Sequence, residues 1–110
     1  GTATLTNTNV FENQAGNDGG GLYIYGTATL TNTNVYANQA GSGGGGLYIE
    51  GTATLTDTNV YGNQAIGQSY GEYSGGGGLY IYGTATLINT NVYSNQAAEG
   101  YGNGGGLYIE

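Results

Sequence analysis

Glu50 and Glu110 close two equivalent motifs, Leu47-Tyr48-Ile49-Glu50 and Leu107-Tyr108-Ile109-Glu110. Paired carboxylates can hydrolyse a glycosidic bond when they face one cleft about 5–9.5 Å apart. The partners such chemistry usually needs are missing. The chain contains no Lys, Arg, His or Cys. No cation can therefore meet a uronate or serve a lyase as base, and there is no thiol nucleophile or thiolate metal ligand. What remains in quantity is hydroxyl and amide: rows of Thr and Asn, and 12 Tyr.

Seven acidic residues leave a net charge of -7 on 110 residues. With no cation to neutralise phosphates, nucleic-acid binding is not expected. An anionic membrane surface would repel the chain, and no apolar run approaches the ~20 residues of a membrane span. Asp18, in Gly16-Asn17-Asp18-Gly19, has the look of part of a calcium-binding nonapeptide. That motif works by recurrence, however, and a lone carboxylate makes a poor calcium cage. A solvated turn is the expected reading, and no cofactor or metal is implied. The chain has no initiator Met, which points to a processed or excised part of a longer product.

Leu, Ile, Val and Phe number only 19 of 110 residues, a proportion usually associated with disorder. Their arrangement overturns that reading. The chain divides into four copies of one unit, residues 1–25, 26–50, 51–82 and 83–110. Each reads GTATLxxTNVxxNQA, then a variable stretch, then GGGLYI and one further residue. Such a period signals a solenoid. Length varies only after Ala15, Ala40, Ala65 and Ala97, so a surface loop is expected there. Apolar residues alternate with period two, the mark of strands. The unit predicts three short strands, GLYI, TATLT and NVYxN, each pairing with its equivalent one coil away at about 4.8 Å. The fold expected is an all-β parallel β-helix of four coils. Ala3, Leu5, Val10, Ala15, Leu22 and Ile24, with their equivalents, should face inward.

This register aligns the chemistry-bearing residues. Thr2, Thr4, Thr6, Thr27, Thr29, Thr31, Thr52, Thr54, Thr56, Thr84 and Thr86 should form a flat outward array, interrupted at Ile88. Its spacing would be about 4.8 Å along the axis and about 6.8 Å along each strand. The array resembles the Thr ladders of ice-binding β-solenoids and could also carry O-linked glycans, whereas Thr is equally a favoured outward strand residue. No Asn-x-Ser/Thr sequon occurs, so N-glycosylation is not expected. Tyr23, Tyr48, Tyr80 and Tyr108 should form one outward aromatic column, and Phe11, Tyr36, Tyr61 and Tyr93 another. These columns could stabilise by stacking, contact a carbohydrate, or be covered by a neighbour. Asn13, Asn38, Asn63 and Asn95 recur at one position, readable as an amide ladder or as turn Asn in a left-handed conformation. Glu50 and Glu110 fall two coils apart, about 9.6 Å, with Tyr82 between them. Alternation in the column Tyr25, Glu50, Tyr82, Glu110 keeps like charges from stacking, which favours a structural over a catalytic role.

The unit GGGLYIYGTATLTNTNVYANQA resembles the right-handed parallel β-helix repeats of bacterial surface proteins, among them the polymorphic outer-membrane proteins with GGAI and FxxN motifs. GGGLYI stands for the first, and Val10–Asn13, Val35–Asn38, Val60–Asn63 and Val92–Asn95 stand for the second, with Val in place of Phe. The resemblance implies right-handed winding, also favoured by the general crossover rule, and an extracellular or cell-surface structural or adhesive role. The expected function is the shaft of an extracellular fibre or surface adhesin. The alternative is a ligand-binding solenoid for ice or carbohydrate. The loops Ile66–Ser74 and Ala98–Asn103, carrying Tyr70, Glu72, Tyr73 and Tyr101, should contact a neighbouring subunit or a glycan.

The ends sharpen the fibre expectation. Open strand edges invite further strands, and monomeric solenoids carry polar caps. Here the first repeat opens with its first Gly and the last closes with its final residue. Leu107-Tyr108-Ile109-Glu110 followed by Gly1-Thr2-Ala3 would reproduce Leu47-Tyr48-Ile49-Glu50-Gly51-Thr52-Ala53. The partner expected is therefore the chain itself. Copies would continue head to tail, covalently or by end-on stacking, through a non-closing contact.

Overall fold

The computed structural model describes residues 1–67, 75–97 and 104–110. Among these residues thirteen strands follow one another, in sets of three per turn of the chain. The first turn contains β1 (Thr2–Thr6), β2 (Asn9–Phe11) and β3 (Gln14–Ala15). The second contains β4 (Leu22–Thr31), β5 (Asn34–Tyr36) and β6 (Gln39–Ala40). The third contains β7 (Leu47–Thr56), β8 (Asn59–Tyr61) and β9 (Gln64–Ala65). The fourth contains β10 (Leu79–Ile88), β11 (Asn91–Tyr93) and β12 (Gln96–Ala97), and β13 (Leu107–Ile109) ends the series.

Every strand pairs in parallel with its equivalent one coil away, giving sheets ordered β1-β4-β7-β10-β13, β11-β8-β5-β2 and β12-β9-β6-β3. Register is strict, as in Leu5↔Leu30, Leu30↔Leu55 and Leu87↔Leu55. The fold is a parallel β-helix of repeated coils.

The strand boundaries differ from those expected. GLYI and TATLT are not separate strands: Leu22–Thr31 runs unbroken through Gly26. NVYxN shortens to NVY, and QA supplies the third wall. The reason lies in the glycine. Gly26, Gly51 and Gly83 stack in one column at φ of 124, 137 and 136°. A Cβ on Gly51 would overlap the Gly26 carbonyl oxygen. Gly therefore lets the chain bend without leaving the ladder.

True corners come at two other places. Asn7, Asn32, Asp57 and Asn89 adopt φ of 46–52°, and Glu12, Ala37, Gly62 and Ser94 adopt φ of 53–62°. Each such residue interrupts the alternation of faces, so that residues on both sides of the corner can point inward. The core holds the expected apolar residues: Ala28, Leu30, Val35, Ala40, Leu47, Ile49, Ala53, Leu55, Val60, Ala65, Leu79 and Ile81 have no exposed surface. It also holds Thr33 and Thr58, which alternation had not placed inside. They follow the first corner, and each hydroxyl donates to the carbonyl two residues back, Thr31 and Thr56, at 3.0 Å. Satisfied in this way, a buried hydroxyl costs little.

Candidate functional site

The interior amides form a ladder. The backbone N–H and Nδ2 of Asn13 both donate to Asn38 Oδ1, each at 3.0 Å. Asn38 does the same to Asn63 Oδ1, and Asn63 to Asn95 Oδ1, again at 3.0 Å. The second Nδ2 proton points the other way, from Asn38 to the Val10 carbonyl and from Asn63 to the Val35 carbonyl. Asn38 and Asn63 are almost fully buried, and each uses both amide protons and its oxygen. Left-handed backbone belongs instead to the preceding residues, Glu12, Ala37, Gly62 and Ser94. The ladder reading therefore stands and the turn reading does not.

The glycine run serves this ladder. A Cβ on Gly46 would stand 2.9 Å from the Asn63 side chain, and one on Gly78 2.6 Å from that of Asn95. GGGLYI and NQA thus meet across the coil, a pairing that spacing along the chain does not reveal.

Three further side-chain ladders run on the outside. Gln14, Gln39, Gln64 and Gln96 are linked amide to amide, at 2.7–3.5 Å. Asn9, Asn34, Asn59 and Asn91 are linked at 2.9 Å. At the first corner Asn32 donates to Asn7 at 2.7 Å, and Asn89 donates to Asp57. An open groove of about 470 Å³ follows the Gln ladder, bordered by Glu12, Ala37 and Gly62. Strict recurrence of NQA and TNV was the available signal for these ladders.

Both aromatic columns form. Phe11, Tyr36, Tyr61 and Tyr93 stack at 5.0–5.1 Å with planes within 7°. Tyr23, Tyr48 and Tyr80 stack at 4.7–4.8 Å within 8°, and Tyr108 tilts by 36° against Tyr80. In-register parallel pairing dictates this face-to-face geometry, because the coil spacing is the ring spacing. Two hydroxyls in the column find carboxylates: Tyr23 donates to Glu50 Oε1 and Tyr80 to Glu110 Oε2, both at 2.7 Å. Glu50 lies two residues beyond Tyr48, the strand partner of Tyr23, so it is a diagonal neighbour that a long side chain reaches. The hydrogen bond to Glu50, then partial burial, pushes the Tyr23 phenol up to about 12. Tyr48 rises to about 12 chiefly through burial, reinforced by the nearby Asp18 carboxylate. Burial, then the bond to Glu110, raises Tyr80. Both glutamates thus act as acceptors for the column.

Asp18 also ties neighbouring coils together. Its Oδ1 accepts the Gly43 N–H at 2.8 Å, holding one coil's loop to the next. The Thr array lies on the outer face of the long strands, with Thr2, Thr4, Thr6, Thr27, Thr52, Thr84 and Thr86 exposed and Thr29, Thr31, Thr54 and Thr56 half-buried. None of their hydroxyls makes a hydrogen bond among the described residues, in contrast to Thr8, Thr33, Thr58 and Thr90. Tyr70, Glu72, Tyr73 and Tyr101, expected as loop contacts, lie outside the described residues.

The outermost strands of the long sheet are short and cover opposite halves of their neighbours. β1 covers Thr27–Thr31 of β4 and Gly1 covers Gly26, leaving Leu22–Tyr25 without a strand on that side among the described residues. β13 covers only Leu79–Ile81 of β10, leaving Thr84–Ile88 open among the described residues. β13, Glu110, Gly1 and β1 in series spell Leu-Tyr-Ile-Glu-Gly-Thr-Ala-Thr-Leu-Thr, the sequence of β7. The chain matches no family model, and no curated protein or solved structure matches it.

Proposed function

We propose that this chain is a structural segment of an extracellular fibre or surface-adhesin shaft, continued head to tail through its open β-helix ends. One observation carries the reading: two half-strands, at opposite ends, together make a ten-residue strand with the sequence of β7. Each end offers what the other lacks, namely backbone N–H and C=O groups in parallel register. The next coil comes either from the same polypeptide or from a second copy; the contact is the same. The resemblance to surface-protein repeats supports an extracellular or cell-surface location. Negative-stain electron microscopy of the purified chain tests the proposal. Unbranched filaments are expected, with sedimentation shifting as concentration rises; a monodisperse monomer at millimolar concentration overturns it.

A second reading, a binding face for ice or for glycans, rests on the Thr array, whose hydroxyls have no partner among the described residues. Thermal hysteresis of the chain tests ice binding. Intact mass of the native product tests O-glycosylation.

A further inference from the structure

We infer that Asn13 and Asn95 are the residues that fix the direction in which copies of this chain join, through one register-specific contact that closes the interior ladder. The inference rests on the head-to-tail reading above and specifies its junction.

The interior ladder has a direction that cannot be reversed by turning over an amide. A side-chain amide alone can present either its oxygen or its nitrogen to a neighbour. Here a backbone N–H and Nδ2 converge on the same Oδ1, at Asn38, Asn63 and Asn95 alike. A backbone N–H only donates, so the oxygen of the next coil must face it. The outer Gln and Asn ladders have no such backbone bond and carry less directional information.

Following that rule to the two ends gives two unlike faces. At the first coil, Asn13 has committed its N–H and one Nδ2 proton to Asn38. Its Oδ1 accepts nothing among the described residues, and its other Nδ2 proton has no counterpart of Val10 to meet. At the last coil, Asn95 Oδ1 is filled by Asn63, and one Nδ2 proton goes to the Val60 carbonyl. Among the described residues, the Asn95 N–H and the second Nδ2 proton are left over, and the Val92 carbonyl is the equivalent acceptor. One end therefore presents an acceptor and one donor, and the other two donors and one acceptor.

These sets fit each other in the internal register. Asn95 of one copy would donate its N–H and Nδ2 to Asn13 Oδ1 of the next, and that Asn13 would return its Nδ2 to the Val92 carbonyl. Two first coils brought together would offer two Asn13 Oδ1 acceptors and no Asn backbone N–H to meet them; two last coils would offer two Asn95 backbone N–H donors and no free Oδ1. An unmade bond at a site that becomes buried is costly, so the mismatched junctions are rejected. A one-residue slip would remove the amide from its partner and turn every side chain over. The contact therefore selects polarity and register together, and the kind of partner it fits is another copy of this chain.

The test is seeded growth of the 110-residue chain, with Asn95→Asp as the variant. The aspartate keeps the oxygen that Asn63 needs, gives up the Nδ2 bond to the Val60 carbonyl of its own chain, and sets a carboxylate against Asn13 Oδ1 of the incoming copy. N95D alone should elongate at least about tenfold more slowly than wild type, the factor expected for losing one net hydrogen bond or more. Added in small amounts to growing wild-type filaments, fluorescent N95D should be found at one end only and should stop growth there, because its Asn13 face is intact. Circular dichroism should show an unchanged strand spectrum for the free variant. If N95D does not fold, Asn13→Ala makes the same test from the opposite, exposed end and should block the other tip. N95D elongating at the wild-type rate, or capping both tips equally, overturns the directional contact and leaves the fibre reading intact. Wild-type chain that never forms filaments overturns both.

Discussion

The second and third coils and the outer two are built from nearly the same residues, yet they sit in different surroundings. Leu30 and Leu55 have no exposed surface, whereas their equivalents Leu5 and Leu87 are only half-buried. Val35 and Val60 are sealed, and Val10 and Val92 are not. Nothing in the sequence of the end coils compensates for this exposure: no charge replaces Leu5, and no Pro blocks Thr2–Thr6. Burial here follows position in the stack and not residue type: the same Leu and Val are sealed where a coil lies on each side and half-buried where one does.

The largest effect should come from Gly51, in the middle of the stack. Gly51→Ala adds a Cβ that overlaps the Gly26 carbonyl oxygen, at a φ of 137° that side chains rarely adopt. Neither neighbour can yield without breaking the long sheet. The variant is expected to lose several kcal/mol, at the upper end of single-residue effects, and to give no cooperative melting transition by circular dichroism. A variant that melts near wild type would show that the glycine column does not set the coil spacing.

Leu55→Ala and Leu87→Ala test the difference between inner and outer coils directly. The first opens a cavity in a sealed layer and should cost about 2–5 kcal/mol. The second removes a half-buried side chain and should cost about half as much in a free monomer, in proportion to the area withdrawn from water. In the proposed filaments Leu87 would acquire the surroundings of Leu55, and the two costs should converge. Denaturant titration of dispersed and polymerised material reads both. Equal costs in the monomer would mean that the end coils are already covered.

Much of this was legible because the fold repeats itself. The recurrence of Ala3, Leu5 and Val10 at fixed offsets gave the pairing register. The outward Thr and Tyr columns followed from parity within one strand. Parity failed at the corners. Asn7 and its equivalents advertise left-handed backbone through Asn or Asp, residues that tolerate it. Glu12, Ala37 and Ser94 do not, so the second corner was invisible except at Gly62. Because the first corner shifts the phase, Thr33 and Thr58 went unassigned although their core position is plain in three dimensions. The bonds from Tyr23 to Glu50 and Tyr80 to Glu110 were missed for another reason. They are diagonal contacts between coils, and reading by column pairs only directly opposite residues.

That second corner offers a change in the favourable direction. Ala37 holds φ 55° where Gly62 sits at the same place in the next coil. An L side chain in this region costs roughly 1–2 kcal/mol, part of which Gly returns through greater freedom of the unfolded chain. Ala37→Gly should therefore stabilise by up to about 1 kcal/mol, a rise of a few degrees in Tm for a domain of this size. Gly62→Ala should lose a similar amount, since its Cβ would have only the Ala37 nitrogen nearby, at 3.9 Å. If the two changes shift Tm in the same direction, backbone strain at this corner is not what separates the coils.

The smallest expected effect is the one that alkali should expose. Tyr23 and Tyr48 are both pushed up to about 12, the first mainly by its bond to Glu50 and the second mainly by burial. Tyr80 is raised by burial and by Glu110. The ordinary phenol ionises near about 10. Between those values the unfolded chain releases protons that the folded chain retains, so stability falls as pH rises. The contribution is complete below about pH 10 and is lost as pH climbs through about 12. Tm should be level across roughly pH 7 to 9 as far as these phenols are concerned. Tyr23 is 50% exposed, so solvent screens much of its share. Tyr48, flanked by a ring on each side, should be the slower of the two to give up its proton to hydroxide. Tyr23→Phe removes the donor to Glu50 and one ionisable group together. It should lower Tm slightly at neutral pH and make the fall above about pH 10 shallower. Phenolate absorbance followed beside the melting curves distinguishes this from a general effect of charge. If Tyr23→Phe leaves the alkaline slope unchanged, the carboxylate bonds do not couple the column to folding, and the ring stack alone ties one coil to the next.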